Sequence, residues 1–104
     1  MNVGAVIVTW NSERFLRGCL ESLRGQTHPV SRLVVVDNGS ADGSVACVRA
    51  EAPAAEIIEM GGNTGYCHAN NRGIACAGGE IVLLLNSDII LDARYVERAV
   101  AAFA

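Results

Sequence analysis

The sequence predicts a parallel, doubly wound α/β sheet made of four successive strand–helix pairs. Three observations carry that expectation. Four short β-rich runs, at positions 3–9, 33–36, 56–60 and 81–85, alternate with segments of helical periodicity, and a βαβα order argues a parallel sheet. The run at 81–85 holds five consecutive aliphatic residues, too few for a typical helix and too continuous for a half-exposed strand, as in a strand covered on both faces. Each run also ends in polar or glycine-rich residues: Thr9 and Asn11, Asp37 and Asn38, positions 63–66, then Asn86 and Asp88. In a parallel sheet those ends share one edge, where open α/β sheets bind ligands.

The elements follow in order. Val3–Thr9 is the first strand, broken by Trp10, Asn11 and Ser12, of which Asn11 or Ser12 is placed to cap a helix and Glu13 to favour its dipole. Phe15, Leu16, Cys19, Leu20 and Leu23 recur at helical spacing, and Gly25 is a stop. The second strand ends in a dense polar turn at 37–44, with Asp42 or Ser44 as cap for a short helix that finishes before Pro53. The third strand is followed by glycines and by a small-residue helix, Tyr66–Ala77, in which Tyr66, Ala69, Asn70, Gly73, Ile74 and Ala77 share a face. Its Ala and Gly positions predict close approach to the sheet. After the fourth strand, Asp92 reads as a cap, and Val96, Val100 and Phe103 give a last amphipathic stripe.

Length and composition bound the function. With 104 residues the chain is one small domain, and its 51% hydrophobic content argues against disorder. Net charge is −3 and all eight cations are arginine, so no basic run is available to track a nucleic-acid backbone. The apolar runs are far shorter than the roughly 18–20 residues of a membrane span, and no signal peptide is evident at the N-terminus, which favours a cytoplasmic protein. Cys19, Cys47, Cys67 and Cys76 show no Cys-x-x-Cys spacing and read as reduced, mostly buried residues.

A chain without lysine has no Walker phosphate loop, and Gly61, Gly62 and Gly65 lack dinucleotide-fingerprint spacing. Asn86, Ser87 and Asp88 can simply form a turn. Alternatively, a divalent cation on Asp88 supplies the positive charge that the missing phosphate cradle does not. Asp42 reads as a cap, Cys67 and His68 as an inert pair, and Glu59 and Glu80 as solvated strand-end residues.

Four segments together carry a resemblance: Val6-Ile7-Val8-Thr9-Trp10-Asn11, then Val34-Val35-Val36-Asp37-Asn38-Gly39-Ser40-Ala41-Asp42-Gly43-Ser44, then Asn63-Thr64-Gly65-Tyr66 with Ala69-Asn70-Asn71 and Gly73, then Leu84-Leu85-Asn86-Ser87-Asp88. In this order they resemble the amino-terminal half of family 2 glycosyltransferases, and the last is similar to the rhamnosyl- and galactofuranosyl-type branch. The resemblance implies the type A nucleotide-diphospho-sugar transferase fold, a Rossmann-like three-layer αβα sheet in strand order 3-2-1-4, with residues 1–104 as its donor-binding part. It implies that Thr9 and Asn11 line the nucleotide pocket, that Asp37 accepts a hydrogen bond from a pyrimidine with Asn38 beside it, and that Gly65, Tyr66 and Asn70 shape the floor under ribose and diphosphate. Asp88, with Asn86 at the first position of the metal motif, would hold Mg²⁺ or Mn²⁺ against the diphosphate of a UDP- or dTDP-sugar. The acceptor would be a saccharide or glycolipid, and the full-length enzyme would associate peripherally with a membrane.

Two departures qualify that picture. Asn86 is neutral where the motif begins with an acid, so one anionic ligand is missing. The family places its base and acceptor pocket in a later segment, so the catalytic base has no assignment here. A donor-binding or assembly module without transfer activity is therefore the competing expectation. Because later strands pair beyond the fourth strand in the resembled fold, the 104-residue chain is also expected to expose 81–85 as an edge and to dimerise through it.

Overall fold

The computed structural model describes residues 1–103. In chain order it contains β1 (Val3–Thr9), α1 (Glu13–Arg24), β2 (Arg32–Asp37), α2 (Ser44–Glu51), β3 (Glu56–Glu59), α3 (Tyr66–Ala77), β4 (Ile81–Asn86) and α4 (Tyr95–Phe103). All strand pairs are parallel and the order is β3-β2-β1-β4, as expected. This is the parallel α/β sheet, in the strand order that the family resemblance implies.

Strand alternation sorts the core into two layers. Ala5, Ile7, Val35 and Leu85 pack with Leu16, Cys19, Leu20 and Leu23 of α1 and Val48 of α2. Val6, Val8, Val34 and Val36 point the other way, onto Ala69 and Ala77 of α3. All seven residues of β1 are buried, which explains why its sequence does not alternate. Each of its valines and its isoleucine removed from water contributes about 1.5–3 kcal/mol. Gly73 sets the fit of α3: a Cβ there would lie 2.4 Å from Val6 Cγ1, so only glycine lets this helix rest on β1.

Several local expectations are corrected. Asn11 and Ser12 do not cap α1 with their side chains; those groups are engaged by neighbouring loops, described below. On α3, Ala69, Asn70, Gly73 and Ala77 are buried, but Tyr66 and Ile74 are exposed. Tyr66 opens the helix and reaches across to Asn86 at the end of β4, while Ile74 lies on the flank of the stripe. Phe15 and Phe103 are likewise exposed at the rims of their stripes. Of the four free cysteines only Cys19 is buried, and Cys67 is exposed.

Among the described residues β4 pairs only with β1, so its far side is the sheet's edge. The expected cover on both faces of 81–85 is corrected: on this outer strand only Ile81 and Leu85 are buried, Val82 and Leu83 are half-buried and Leu84 is 48% exposed, because no further strand lies beyond it among the described residues. Helix α4 leaves Leu84 exposed: its Val96 packs against Val3 and Ile81 at the start of the strands, with Leu83 and Val100 against the same cluster. Among the described residues no helix is long and apolar enough to cross a membrane.

Candidate functional site

The carboxyl edge begins with Thr9 and Asp37, which are register partners at the end of β1 and β2. The backbone stays zipped to this point: Asn38 N donates to Thr9 O at 2.9 Å and Met60 N to Asp37 O at 2.9 Å. Both side chains are almost fully buried. One carboxylate oxygen of Asp37 accepts the Ser40 N–H at 3.1 Å, while Asp37 Oδ1 and Thr9 Oγ1 have no partner. Asn70, in the first turns of α3, leaves a third buried oxygen, Oδ1, unpartnered. A buried polar atom without a hydrogen bond costs about 1–3 kcal/mol, so such atoms are rare. Two orphans on paired residues at the carboxyl edge are suited to a ligand that brings donors.

The loops after β1 and β2 hold this edge rigid by pairing with each other. Asn11 adopts φ 49°, a left-handed conformation that asparagine tolerates. Its Oδ1 accepts the Ala41 N–H at 2.8 Å and its own N–H donates to Ser40 Oγ at 2.9 Å. Ser12 N donates to Ser44 Oγ at 3.1 Å, and Gly43 N donates to Glu13 Oε1 at 2.8 Å. Asp42 accepts from Ser44 and from Glu13 N. The Ser44 hydroxyl holds the Asp42 carboxyl below its usual range. Asp42 is thus a loop fastener rather than a simple cap.

Asn38 works on the next loop. Its Oδ1 accepts from Thr64 N and Thr64 Oγ1, both at 2.9 Å, and its Nδ2 donates to Asn63 Oδ1 at 3.0 Å. Asn63 Oδ1 also accepts the Gly65 N–H at 3.1 Å. Both ends of the buried Asn38 amide are therefore spent on positioning the turn where α3 begins. Gly65 makes that turn at φ 87°. The two loops also touch at glycines: at Gly39, φ 89°, a Cβ would meet Gly62 Cα at 2.8 Å.

Beyond β4, Asn86 and Asp88 are exposed and Ser87 is buried. Ser87 Oγ donates to Ser12 Oγ at 2.9 Å, which ties this turn to the loop after β1. Tyr66 Oη donates to Asn86 Oδ1 at 3.1 Å. Among the described residues no hydrogen bond or ion pair engages the Asp88 carboxylate. Burial pushes the Cys19 thiol up to about 11, and the negative charge of Asp88 adds to the effect. No group of three metal-ligating side chains exists among the described residues. One free carboxylate fits a hard divalent cation when the bound ligand brings further oxygens, as diphosphates do for Mg²⁺.

A surface depression of about 560 Å³ adjoins this edge, lined by Asn11, Glu13, Arg14, Arg17, Asp42 and Cys47. Its acids are already bonded to loop groups and Arg17 is paired with Glu21 and Glu51, so it offers less free chemistry than the orphan oxygens of Thr9 and Asp37. The sequence reading brought Thr9, Asn11, Asp37, Asn38, Gly65, Tyr66, Asn70, Asn86 and Asp88 to one edge, and the fold sets them there. It overlooked Asn63 and Thr64 as partners of Asn38, and Ser12 with Ser87. Trp10, which the sequence marks only as a strand breaker, is 54% exposed between Thr9 and Asn11.

Comparison with known proteins agrees with this architecture. The family model described as Glycosyl transferase family 2 matches residues 5–104. The succinoglycan biosynthesis protein ExoO of Rhizobium meliloti is 34% identical over 108 residues, covering 99% of this chain and 31% of that protein. The S. aureus TarS structure in complex with UDP-GlcNAc superposes with a TM-score of 0.88 at 27% identity, covering 97% of this chain and 30% of that one. A mannosyltransferase from Pyrobaculum calidifontis, solved with GDP-Man and Mn²⁺, gives 0.82 at 30% identity, covering 89% and 29%. The chain spans about a third or less of the length of the curated relatives it matches.

Proposed function

Since this chain belongs to glycosyl transferase family 2, we propose that it forms the donor-binding part of an enzyme that moves a sugar from a nucleotide-diphospho-sugar to a saccharide or glycolipid acceptor. The observation that carries the reading is the pair of buried, unpartnered oxygens on Thr9 and Asp37 at the carboxyl edge. Asp37 Oδ1 accepts the imino N–H of a uracil or thymine, which gives its orphan lone pair a partner and favours UDP- or dTDP-sugars. Thr9 and Asn11 line the base and ribose pocket, with the exposed Trp10 ring available for stacking. Asn70, Gly65 and Tyr66 form the floor under ribose and diphosphate. Asn38 contributes by holding the 63–65 turn.

Asp88 would hold a divalent cation, Mg²⁺ or Mn²⁺, at the donor diphosphate. A bound cation there supplies charge compensation to the departing nucleotide. The base that takes the acceptor hydroxyl's proton is assigned to no residue of this chain. The Leu84-Leu85-Asn86-Ser87-Asp88 segment supports the rhamnosyl- or galactofuranosyl-type branch. A cytoplasmic site of action, where nucleotide sugars are the donors, fits the reading.

Titrating Mn²⁺ with and without UDP tests it. Binding by the free protein should be weak and should tighten when UDP is present, and Asp88→Asn should lower the affinity by at least about 10–100-fold, the range for losing even an outer partner. Unchanged UDP-dependent Mn²⁺ binding in Asp88→Asn would remove Asp88 from the metal role.

A further inference from the structure

We infer that Tyr66 is a positioning residue that fixes the amide of Asn86, so that position 86 offers hydrogen-bond donors to the nucleotide and is not a metal ligand. The inference rests on the donor-site reading above. Asn86 ends β4 and stands opposite Val8 in register; Tyr66 begins α3 directly after the Gly65 turn. Their side chains join at 3.1 Å, with the phenol O–H donating to the amide oxygen. This bond ties the overhanging first turn of α3 to the end of a strand that the helix otherwise barely touches.

The chemistry follows from the inventory of an amide. One end accepts and is the end that binds a cation; the other carries two N–H donors and no lone pair for a metal. With one of the two Oδ1 lone pairs taken by the Tyr66 hydroxyl and the oxygen turned towards it, the wholly free end of Asn86 is the NH₂. An acid at this position would present only acceptors and a negative charge towards an anionic diphosphate. Asn86 instead presents donors, which match ribose or phosphate oxygens. The Asn86 substitution then does more than delete a ligand from the metal motif. It converts that position from cation binding to direct nucleotide binding, and leaves Asp88 as the cation's protein carboxylate. The Gly65 turn places Tyr66 for this, and Asn38 in turn holds that turn through Asn63 and Thr64.

The test uses the 104-residue protein labelled with ¹⁵N. The Asn86 side-chain NH₂ signal is identified by its loss in Asn86→Asp. It should move on adding UDP without metal and stay in place on adding Mg²⁺ alone. Tyr66→Phe keeps the ring and removes only the hydroxyl; it should weaken UDP binding by roughly 3–10-fold, the value of one hydrogen bond, and reduce the UDP-induced movement of the Asn86 signal. Asn86→Asp should weaken metal-free UDP binding while tightening Mg²⁺ binding. Two results would overturn the inference: Tyr66→Phe binding UDP like the parent with an unchanged Asn86 response, or Mg²⁺ alone shifting the Asn86 NH₂. If Asp37→Asn weakens UDP binding while Tyr66→Phe does not, this inference fails and the donor site stands. If the parent protein binds no UDP, both fail.

Discussion

Thr9 and Asp37 face each other across the last paired position of β1 and β2, and each buries a side-chain oxygen that has no partner. If a bound nucleotide offsets that cost, as the proposed donor site requires, stability and binding should respond in opposite directions to change at this pair. Asp37→Asn keeps the shape, removes a buried charge and replaces an acceptor by a donor at one position. Nucleotide affinity should fall by roughly 10–150-fold, the range for a hydrogen bond to a charged group, while the melting temperature holds or rises. Calorimetric titration with UDP and a thermal melt of the same samples check both halves. A variant that is destabilised yet binds normally would mean that Asp37 serves the fold.

Asn38 should behave differently from its neighbour. Its amide is spent on Asn63 and Thr64, so Asn38→Ala leaves those groups unpaired and releases the turn that starts α3. A loss of about 1–3 kcal/mol in stability is expected, with weaker nucleotide binding as a consequence. Chemical denaturation measures the first and UDP titration the second. Full stability with selectively lost binding would instead give Asn38 a direct contact with the nucleotide.

The parallel α/β class and the edge of the sheet that carries the candidate site were legible because each is written in runs, whereas the strand order came only with the family resemblance. An unbroken aliphatic run marks a strand covered on both faces, which holds for β1 but not for β4, where Val82 and Leu83 are half-buried and Leu84 is exposed. Polar residues after four successive strands must meet at one edge. The bonding of individual polar residues was not legible. Asn11, Ser12 and Asp42 sit where caps belong, but their partners are some 30 residues away in the facing loop, and local spacing carries no record of such pairs. The same limit hid the role of Asn38. It sits beside Asp37 in the sequence, but strand alternation turns it away from Asp37 and onto the 63–65 turn. Tyr66 fell on the helical stripe by period, yet it opens the helix and stays exposed, where a wheel diagram has no sheet to offer.

The open side of β4 carries an expectation about assembly. Leu84 is 48% exposed on an unpaired edge, and no charge within 81–85 discourages pairing. The 104-residue protein should therefore dimerise or form larger assemblies through this edge, a two-fold contact being the commonest arrangement. Leu84→Lys should weaken the association. Sedimentation across micromolar to millimolar concentrations measures it, and a monomer throughout would contradict the expectation.

The central claim is that a nucleotide binds at the carboxyl edge, and amide shifts of the ¹⁵N-labelled protein on adding UDP test it most directly. The largest shifts should fall on Thr9, Asn11, Asp37 and Gly65, with smaller ones at Asn86 and Asp88 until a divalent cation is added. A hollow of about 400 Å³ at the opposite, amino-terminal edge, lined in part by Leu23, Pro29, Val30 and Ala55, should stay silent. Shifts confined to that hollow, with Thr9 and Asp37 unmoved, would contradict the account.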